Sequence, residues 1–224
     1  MSKYNNKLDI NSDNSASVIV RNIKPNTTVL EFGADNGYMT EYMKNSLGCD
    51  VSIVEINEMS GYLASLHAQY FLTGSKFGDI EEYHWLDRWS EREFDHIVFA
   101  DVLEHLTDPY NVLKESVNLL KKSGTVLISI PNVSHNSVII DLINNNFEYR
   151  NLGLLDSTHL RFFTRKTLEK MVQDSGLVIS KEMNTRCAVE HTEFKNSFAD
   201  VSDEVAAVLK ARDDGNVYQF VWEL

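Results

Sequence analysis

Short apolar runs alternate along this chain with stretches of helical periodicity. Five runs have the length and β-branched content of buried strands, at residues 29–32, 50–56, 71–77, 94–100 and 125–130. Helical stretches follow the first four of them, at residues 38–47, 58–70, 81–92 and 109–120. Regular alternation of strand and helix predicts a mainly parallel sheet with helices packed against it.

The rest of the chain departs from that alternation. Two more strands are predicted at residues 177–182 and 217–222, and further helices at residues 15–23, 138–143, 165–175 and 201–212. Residues 1–15 are rich in Asn and Ser, so we expect them to be mobile. No Gly/Ser linker or internal repeat divides the sequence. We therefore expect one domain over residues 1–224.

A glycine turn joins the first strand to its helix. The stretch Val29–Gly37 reads VLEFGADNG, and such a turn leaves backbone N–H groups at a helix N-terminus where a ligand can approach. Glu31 lies at the end of the strand. A dinucleotide fingerprint would need glycine at Asp35 and Tyr38 as well as at Gly33, which disfavours a nicotinamide-dependent dehydrogenase.

Acidic residues end the second strand and follow the third. Glu55 lies 22 residues beyond Gly33, the spacing at which a carboxylate can accept both hydroxyls of a ribose. The alternative is a solvated charge at the strand end. Asp79 follows the third strand, where it could cap the next turn.

Two further sequence motifs lie later in the chain. Residues 101–109 read DVLEHLTDP after the fourth strand, and residues 156–164 read DSTHLRFFT before a helix. Together with the glycine turn, these motifs resemble class I S-adenosylmethionine (SAM) methyltransferases over most of residues 29–177. The string at residues 156–164 resembles that of a subset often associated with bacterial surface polysaccharide and glycan biosynthesis.

The resemblance implies both a fold and a cofactor. The fold is α/β, a Rossmann-like doubly wound sheet of seven strands, mostly parallel with an antiparallel last strand, and with helices on both faces. The cofactor is S-adenosyl-L-methionine, leaving S-adenosyl-L-homocysteine as the product. By matching motif positions, the cofactor-binding residues are Glu31, Phe32, Gly33, Ala34, Asp35, Gly37, Tyr38, Glu55, Ile56, Asp79, Ile80, Ala100, Asp101, Val102 and His105.

In the same family a substrate lid is inserted after the fifth strand, here at about residues 134–163. A sugar hydroxyl needs a general base, and histidine is suited to that role because its ordinary pKa is close to neutral. His159, which Asp156 could orient, is our first candidate and His135 our second. Asn132 and Arg161 are candidates for substrate binding, and Arg161 could instead pair with Asp156. Glu104 could contribute with His105 to proton transfer or tie the loop to the sheet.

Composition narrows the function further. The formal net charge is −12 and the pI about 5.0, with no evident basic cluster, which disfavours a nucleic acid substrate. The two cysteines lack metal or redox spacing, and the 7 histidines are scattered, so we expect no metal and activity that EDTA does not affect. No apolar run is long enough to span a membrane. A cytoplasmic protein is therefore expected, and it could form a homodimer.

These observations lead to one main function and two alternatives. The main interpretation is O-methylation of a sugar or sugar-linked group in surface glycan biosynthesis. The first alternative is O- or N-methylation of another small molecule, such as a quinone or an amino sugar. The second is a SAM-binding protein without catalysis that serves a partner enzyme.

Overall fold

Eight strands form one mixed sheet within residues 8–224, the part of the chain that this computed structural model describes. Their spatial order is β3-β2-β1-β4-β5-β8-β6, and β7 also pairs with β8. The strands are β1 (Thr28–Phe32), β2 (Asp50–Glu55), β3 (Tyr70–Thr73), β4 (Phe94–Ala100), β5 (Leu120–Pro131), β6 (Lys181–Glu182), β7 (Thr185–Arg186) and β8 (Val217–Glu223). The first five strands are parallel, and β8 runs antiparallel to β5.

Helices cover both faces of this sheet, as the resemblance implied. They are α1 (Ser15–Arg21), α2 (Tyr38–Asn45), α3 (Glu58–Ser65), α4 (His84–Arg88), α5 (Pro109–Ser116), α6 (Asn136–Ile143), α7 (Arg165–Asp174) and α8 (Asp203–Lys210). Successive β1 residues point to opposite faces, so Val29 packs in one core cluster with α1 and α2 while Leu30 packs in the other with α7. The predicted α/β class and topology are confirmed.

The amino-terminal segment packs on α1 over the residues that are described. The Ser17 hydroxyl donates to the Asp9 carbonyl at 2.7 Å, and the Arg21 guanidinium donates to the Ile10 carbonyl at 2.9 Å. We expected residues 1–15 to be mobile, but residues 8–14 are held against α1. Residues 1–7 lie outside the described part of the chain. No helix within residues 8–224 combines the length and apolar character needed to cross a bilayer.

The helix after β4 ends earlier than predicted. We expected it to reach Leu120 and to end in Lys121 and Lys122, but α5 stops at Ser116, whose hydroxyl donates to the Leu113 carbonyl at 2.7 Å. Leu120 instead begins β5, in register with Phe94. Lys121 forms an ion pair with Asp95 at 2.9 Å rather than interacting with a helix end.

Helix α3 is also shorter than predicted, and its large apolar side chains face outward. Met59, Tyr62, Leu63 and Leu66 are all exposed, while the buried positions are the small residues Ser60, Gly61 and Ala64. Small side chains let α3 pack closely on its neighbours. A Cβ atom at Gly37 would lie 2.5 Å from the Ala64 Cα atom.

The carboxyl-terminal edge of the sheet is more broken than the sequence suggested. A single strand was expected over residues 177–182, but only the two residues of β6 pair there, and β7 adds two more. Both pair with β8, which lies between β5 and β6 in the sheet and carries the buried Val221 and Trp222. Two short 3-10 turns and α8 lie between β7 and β8 in the sequence.

Gly37 gives a test of the close packing between α2 and α3. Gly37 and Gly176 both have left-handed backbones, with φ of +82° and +77°, but an added Cβ has no neighbour within 4 Å at Gly176. Each alanine variant loses about 1–2 kcal/mol for backbone strain. Gly37→Ala should lose about a further 1–3 kcal/mol because the methyl group forces the helices apart.

Denaturant unfolding of the two variants measures that difference against a control with matched backbone strain. Equal free energies of unfolding for Gly37→Ala and Gly176→Ala would contradict the close approach of α2 and α3.

Candidate functional site

A cavity of about 800 Å³ lies at the carboxyl ends of the parallel strands. Residues that end or directly follow β1, β2 and β4 line it, and so do residues from α1, the lid segment and β8. The strand order reverses between β1 and β4, and ligands of doubly wound sheets bind at such a reversal. The topology therefore brings the predicted strand-end residues to one place.

The glycine turn after β1 forms one wall of this cavity. Gly33 has a left-handed backbone, and a Cβ there would lie 2.5 Å from the Val102 Cγ2 atom, so only glycine fits. Asp35, where the family pattern has glycine, also has a left-handed backbone, with φ of +45°. Its side chain accepts a hydrogen bond from the Ser60 hydroxyl at 3.0 Å. The turn therefore keeps its conformation without the usual middle glycine.

Glu31 lies at the end of β1, beneath the turn, and is almost fully buried. The Thr40 hydroxyl donates to its carboxylate at 2.6 Å. Burial raises the pKa of this carboxyl to about 8, and the neighbouring Glu55 contributes in the same direction. In an empty cavity near neutral pH, Glu31 is therefore mostly protonated. A positively charged ligand would favour its ionised form.

Glu55 is held in place by backbone donors. The amide of Asp35 donates to one carboxylate oxygen at 2.9 Å, and the amide of Asn57 donates to the other at 2.7 Å. Burial raises its pKa, and the two amide hydrogen bonds oppose that rise. Each oxygen keeps a second lone pair, so the carboxylate can still accept hydrogen bonds from a diol.

Asp79 caps the next turn, one of the two roles that the sequence left as alternatives, and it also lies at the cavity. Its carboxylate accepts a hydrogen bond from the Glu81 amide at 3.0 Å and so caps a 3-10 turn over Ile80–Glu82. Asp79 and Ile80 also line the cavity, where they can contact a ligand.

Asp101, directly after β4, ties four elements together. Its carboxylate accepts hydrogen bonds from the Ser129 hydroxyl at 2.9 Å and the Gln219 amide at 2.7 Å. The Ser15 hydroxyl donates to its other oxygen at 3.0 Å. Burial raises the pKa of Asp101, and these donors oppose the rise. Helix α1 thus packs on the sheet and also contributes to the wall of the cavity.

A second acidic group is buried three residues later, in the 3-10 turn Leu103–His105. Glu104 is 1% exposed, and burial together with the carboxylates of Asp101 and Asp156 raises its pKa well above the ordinary value. The His105 and His159 rings lie 4.9 Å apart, nearly perpendicular. All three side chains line the cavity, because the lid backbone at residues 160–161 hydrogen-bonds to the Glu104 carbonyl.

Most predicted cofactor positions line the cavity, but Phe32 and Gly37 do not. Phe32 is fully buried and stacks on Phe99 at 4.6 Å, so it belongs to the core. Gly37 packs against Ala64 and starts α2. Both support the turn from behind, because adjacent residues of a strand and turn cannot all face one ligand.

The structure assigns different contacts to the other candidates for catalysis and substrate binding. His135 is fully buried, where its Nδ1 accepts from the Ser137 amide at 3.1 Å and its Nε2 lies 3.0 Å from the Cys187 carbonyl. The Asn132 side chain is buried too, and it donates to the Val217 carbonyl at 2.8 Å. Neither lines the cavity, so the structure does not place them with the other candidate site residues.

Arg161 is exposed and does not line the cavity either. Its guanidinium donates to the carbonyls of Thr107 and Leu160, which fixes the lid to the loop after β4. No ion pair joins it to Asp156 within the described residues. The predicted role in binding an anionic substrate is therefore not supported.

Several residues that line the cavity were missed from the sequence. They are Leu8, Asn14, Ser15, Ala16, Met39, Glu81, Leu106, Pro131, Leu152, Gly153, Leu154, Tyr218 and Gln219. Gln219 carried a usable signal, since it is a lone amide within the apolar strand VYQFVW. The lid leucines carried none, because their approach depends on the path of an irregular loop.

The cavity lining is strongly acidic over the residues that the structure describes. Seven carboxyl side chains reach it, and among the described residues no Lys or Arg does; the seven are Glu31, Asp35, Glu55, Asp79, Glu81, Asp101 and Glu104. Such a cavity favours a ligand that carries positive charge and disfavours one that carries phosphate.

Comparison with protein families identifies the chain. Residues 12–182 match the model of a family described as a methyltransferase domain. The chain belongs to this methyltransferase family. Its resemblance to methyltransferases, based on the glycine turn and the loop after β4, is therefore confirmed at the level of the family.

Curated relatives are named as ubiquinone biosynthesis O-methyltransferases. The protein from Psychrobacter arcticus is 26% identical over 153 residues, which cover 66% of this chain and 58% of that protein. The protein from Thiobacillus denitrificans is 26% identical over 151 residues, which cover 66% of this chain and 63% of that protein. The matched region thus spans about three fifths of these relatives' length. Neither name links the chain to glycans.

Solved structures show the same fold. A SAM-dependent methyltransferase from Archaeoglobus fulgidus has a TM-score of 0.61 and 20% identity, covering 92% of this chain and 89% of that one. A 1,6-didemethyltoxoflavin-N1-methyltransferase from Burkholderia thailandensis, solved with S-adenosylhomocysteine, has a TM-score of 0.57 and 15% identity, covering 96% and 78%.

The residues of the cavity suit SAM, the cofactor of this family. SAM carries positive charge on its sulfur and its amino group, and the buried Glu31 has no basic side chain beside it in the part of the lining that the structure describes. Its ribose needs a paired acceptor, which Glu55 supplies with both oxygens fixed. Gly33 has no side chain, and the turn leaves no space for a Cβ atom there. The backbone of the turn is therefore accessible to a ligand.

The raised pKa of Glu31 predicts how stability depends on pH. The folded cofactor-free protein holds the proton up to about pH 8, whereas the unfolded chain releases it near the ordinary carboxyl pKa of 4.5. This group therefore lowers stability progressively as pH rises between those values, by on the order of 4 kcal/mol. Glu31→Gln removes the ionisation and can still accept from Thr40, so it should stabilise the protein more at high pH.

Thermal unfolding of cofactor-free protein at about pH 5 and about pH 9 measures this effect. The melting temperature of Glu31→Gln should exceed that of the wild type by more at the higher pH. Glu41→Gln, which changes an exposed side chain on α2, should show no such trend. A pH-independent difference for Glu31→Gln would contradict the burial of an ionisable carboxyl group there.

Proposed function

We propose that this protein is a SAM-dependent O-methyltransferase that acts on a hydroxyl group of a small, flat, apolar acceptor of the quinone or phenol type. The observation that carries the proposal is the cavity lining, with its seven carboxyl groups and no Lys or Arg among the described residues. That lining suits a cationic methyl donor and a neutral acceptor.

The cofactor half of the proposal assigns roles to the strand-end carboxylates. SAM, when bound, supplies a methyl group on a positively charged sulfur, which an oxygen nucleophile can displace. Glu31 lies where it can balance the donor's positive charge, and Glu55 accepts from the ribose hydroxyls. Asp79 and Ile80 border the adenine. The protein's share is alignment, which can contribute on the order of 7–11 kcal/mol.

The acceptor half depends on the lid and on β8. Leu152 and Leu154 from the lid, together with Leu106, give the cavity apolar walls, and Tyr218 adds an aromatic ring. Apolar walls with few polar groups suit a flat ring better than a sugar, whose many hydroxyls each need a partner. The names of the curated relatives favour the same acceptor class.

The glycan hypothesis loses support on two counts. A nucleotide sugar carries phosphates, which would face carboxylates here and no basic side chain of the described cavity lining. Arg161, the predicted contact for an anionic group, instead bonds to backbone carbonyls. The quinone-type alternative therefore replaces glycan O-methylation as the main proposal.

The acceptor hydroxyl must lose a proton as the methyl group transfers. His159 remains the sequence candidate for that base, and it is 9% exposed, with its ring beside His105 and Phe162. In the simplest mechanism, its imidazole accepts the proton from the hydroxyl that attacks the methyl group.

An acceptor panel tests the proposal. Release of S-adenosylhomocysteine from SAM is measured with a prenylated catechol, the dimethyl ether of the same catechol, a nucleotide sugar and a neutral oligosaccharide. The catechol should be converted to its monomethyl ether, and its dimethyl ether should be inert because it has no free hydroxyl. The nucleotide sugar and the oligosaccharide should also be inert.

Two results would overturn this proposal. Methylation of a sugar in preference to the catechol would restore the glycan hypothesis. Binding of SAM without transfer to any acceptor would favour a non-catalytic SAM-binding protein.

A further inference from the structure

Three potential metal ligands meet at one end of the cavity. Glu104, His105 and His159 each offer a ligand atom, and these atoms all lie within 4.8 Å of one another. Glu104 and His105 are adjacent in the loop after β4, whereas His159 comes from the lid. Lid packing therefore creates a grouping that no spacing in the sequence reveals.

Glu104 gives a reason to expect a ligand at this place. It is 1% exposed, and neither of its carboxylate oxygens has a hydrogen-bond partner on another residue within residues 8–224. Buried carboxyl groups normally have donors, because an unpaired one loses its hydration without compensation. Glu31 and Glu55 have such donors in the same cavity, so Glu104 differs from its neighbours.

The environment of His105 leaves one ring nitrogen ready to bind a metal. Its Nδ1 lies 3.1 Å from the Thr158 carbonyl oxygen, which can only accept, so Nδ1 carries the proton and Nε2 keeps its lone pair. Asp156 fixes Thr158 in turn, accepting from its amide at 2.9 Å and from its hydroxyl at 2.7 Å. A backbone carbonyl behind a histidine is the usual outer support of a metal ligand.

We propose that Glu104, His105 and His159 bind one divalent transition-metal cation beside the site of methyl transfer. Two imidazoles and one carboxylate suit Zn²⁺, Mn²⁺, Fe²⁺ or Co²⁺ better than Mg²⁺ or Ca²⁺, which prefer oxygen ligands. Three protein ligands leave coordination positions open. His105 is exposed, so its imidazole has room to move toward the other two ligands.

The role of the cation depends on the proposed function, although its binding does not. An acceptor hydroxyl that coordinates the cation has a lowered pKa and loses its proton to water, leaving a metal-bound oxygen anion that can attack the methyl group. His159 would then be a ligand rather than the base. The expectation of no metal, drawn from scattered histidines, is replaced by this proposal.

Titration with Co²⁺ tests the site without any acceptor. The full chain is treated with EDTA, freed of the chelator and titrated with Co²⁺, following visible absorption bands and heat. The wild type should bind one Co²⁺ per chain with imidazole-type spectral bands. Glu104→Gln and His159→Asn should each weaken binding by at least about tenfold, since even supporting residues have effects of that size.

Matched controls keep the result interpretable. His191→Asn changes an exposed histidine in a distant 3-10 turn and should bind Co²⁺ as the wild type does. Circular dichroism verifies that each variant is folded. Failure of the wild type to bind Co²⁺ would overturn the proposal, as would unchanged affinity in both folded ligand variants.

Failure of the metal site and failure of the proposed function can be told apart. Catechol methylation at full rate by EDTA-treated protein that binds no Co²⁺ would overturn the metal site and keep the function. Specific Co²⁺ binding without methylation of any acceptor would keep the site and overturn the function.

Discussion

The cavity end of this molecule depends on the burial of carboxyl groups that have no basic side chain beside them among residues 8–224. Glu31, Glu55 and Glu104 are all at most 7% exposed. An ionised carboxylate that leaves water is unfavourable unless donors or a cation stabilise it. In the cofactor-free protein, Glu31 therefore keeps its proton near neutral pH, and ligand binding is coupled to its ionisation.

Topology makes this concentration of acid possible. Parallel strands direct their carboxyl ends to one edge of the sheet, so β1, β2 and β4 deliver Glu31, Glu55 and Asp101 to one cavity. The glycine turn lies over them and donates the Asp35 amide to Glu55. This hydrogen bond therefore holds both the turn and the Glu55 carboxylate in place. Cofactor binding and fold are thus determined by shared contacts.

Local sequence was enough to predict the elements whose environment is set by near neighbours. Strands β1, β2, β4 and β8 and the glycine turn depend on short segments, and their positions were predicted well. Helix ends were predicted less well. Helix α5 stops at Ser116 and a 3-10 turn over Val117–Leu119 follows, before Leu120 pairs with Phe94 in a contact that local periodicity does not contain. The exposure of apolar residues on α3 likewise depends on which small residues pack inward.

Catalytic residues were harder to predict, because they depend on contacts between distant parts of the chain. His135 and Asn132 lie in a promising loop, but the carbonyls of Cys187 and Val217 hold them inside the fold. Ser15 and Gln219 reach Asp101 from opposite ends of the chain. The grouping of Glu104, His105 and His159 needs the folded path of the lid. The residue types were visible in the sequence, and their proximity was not.

Calorimetric titration of SAM into the wild type and into the Glu31→Ala, Glu55→Ala double variant tests the central claim most directly. The wild type should bind SAM, and the folded double variant should lose at least about 100-fold in affinity, since each carboxylate makes charge-assisted contacts of about 1.5–3 kcal/mol. Equal affinity for SAM in both folded proteins would contradict the claim that these buried carboxylates hold the cofactor.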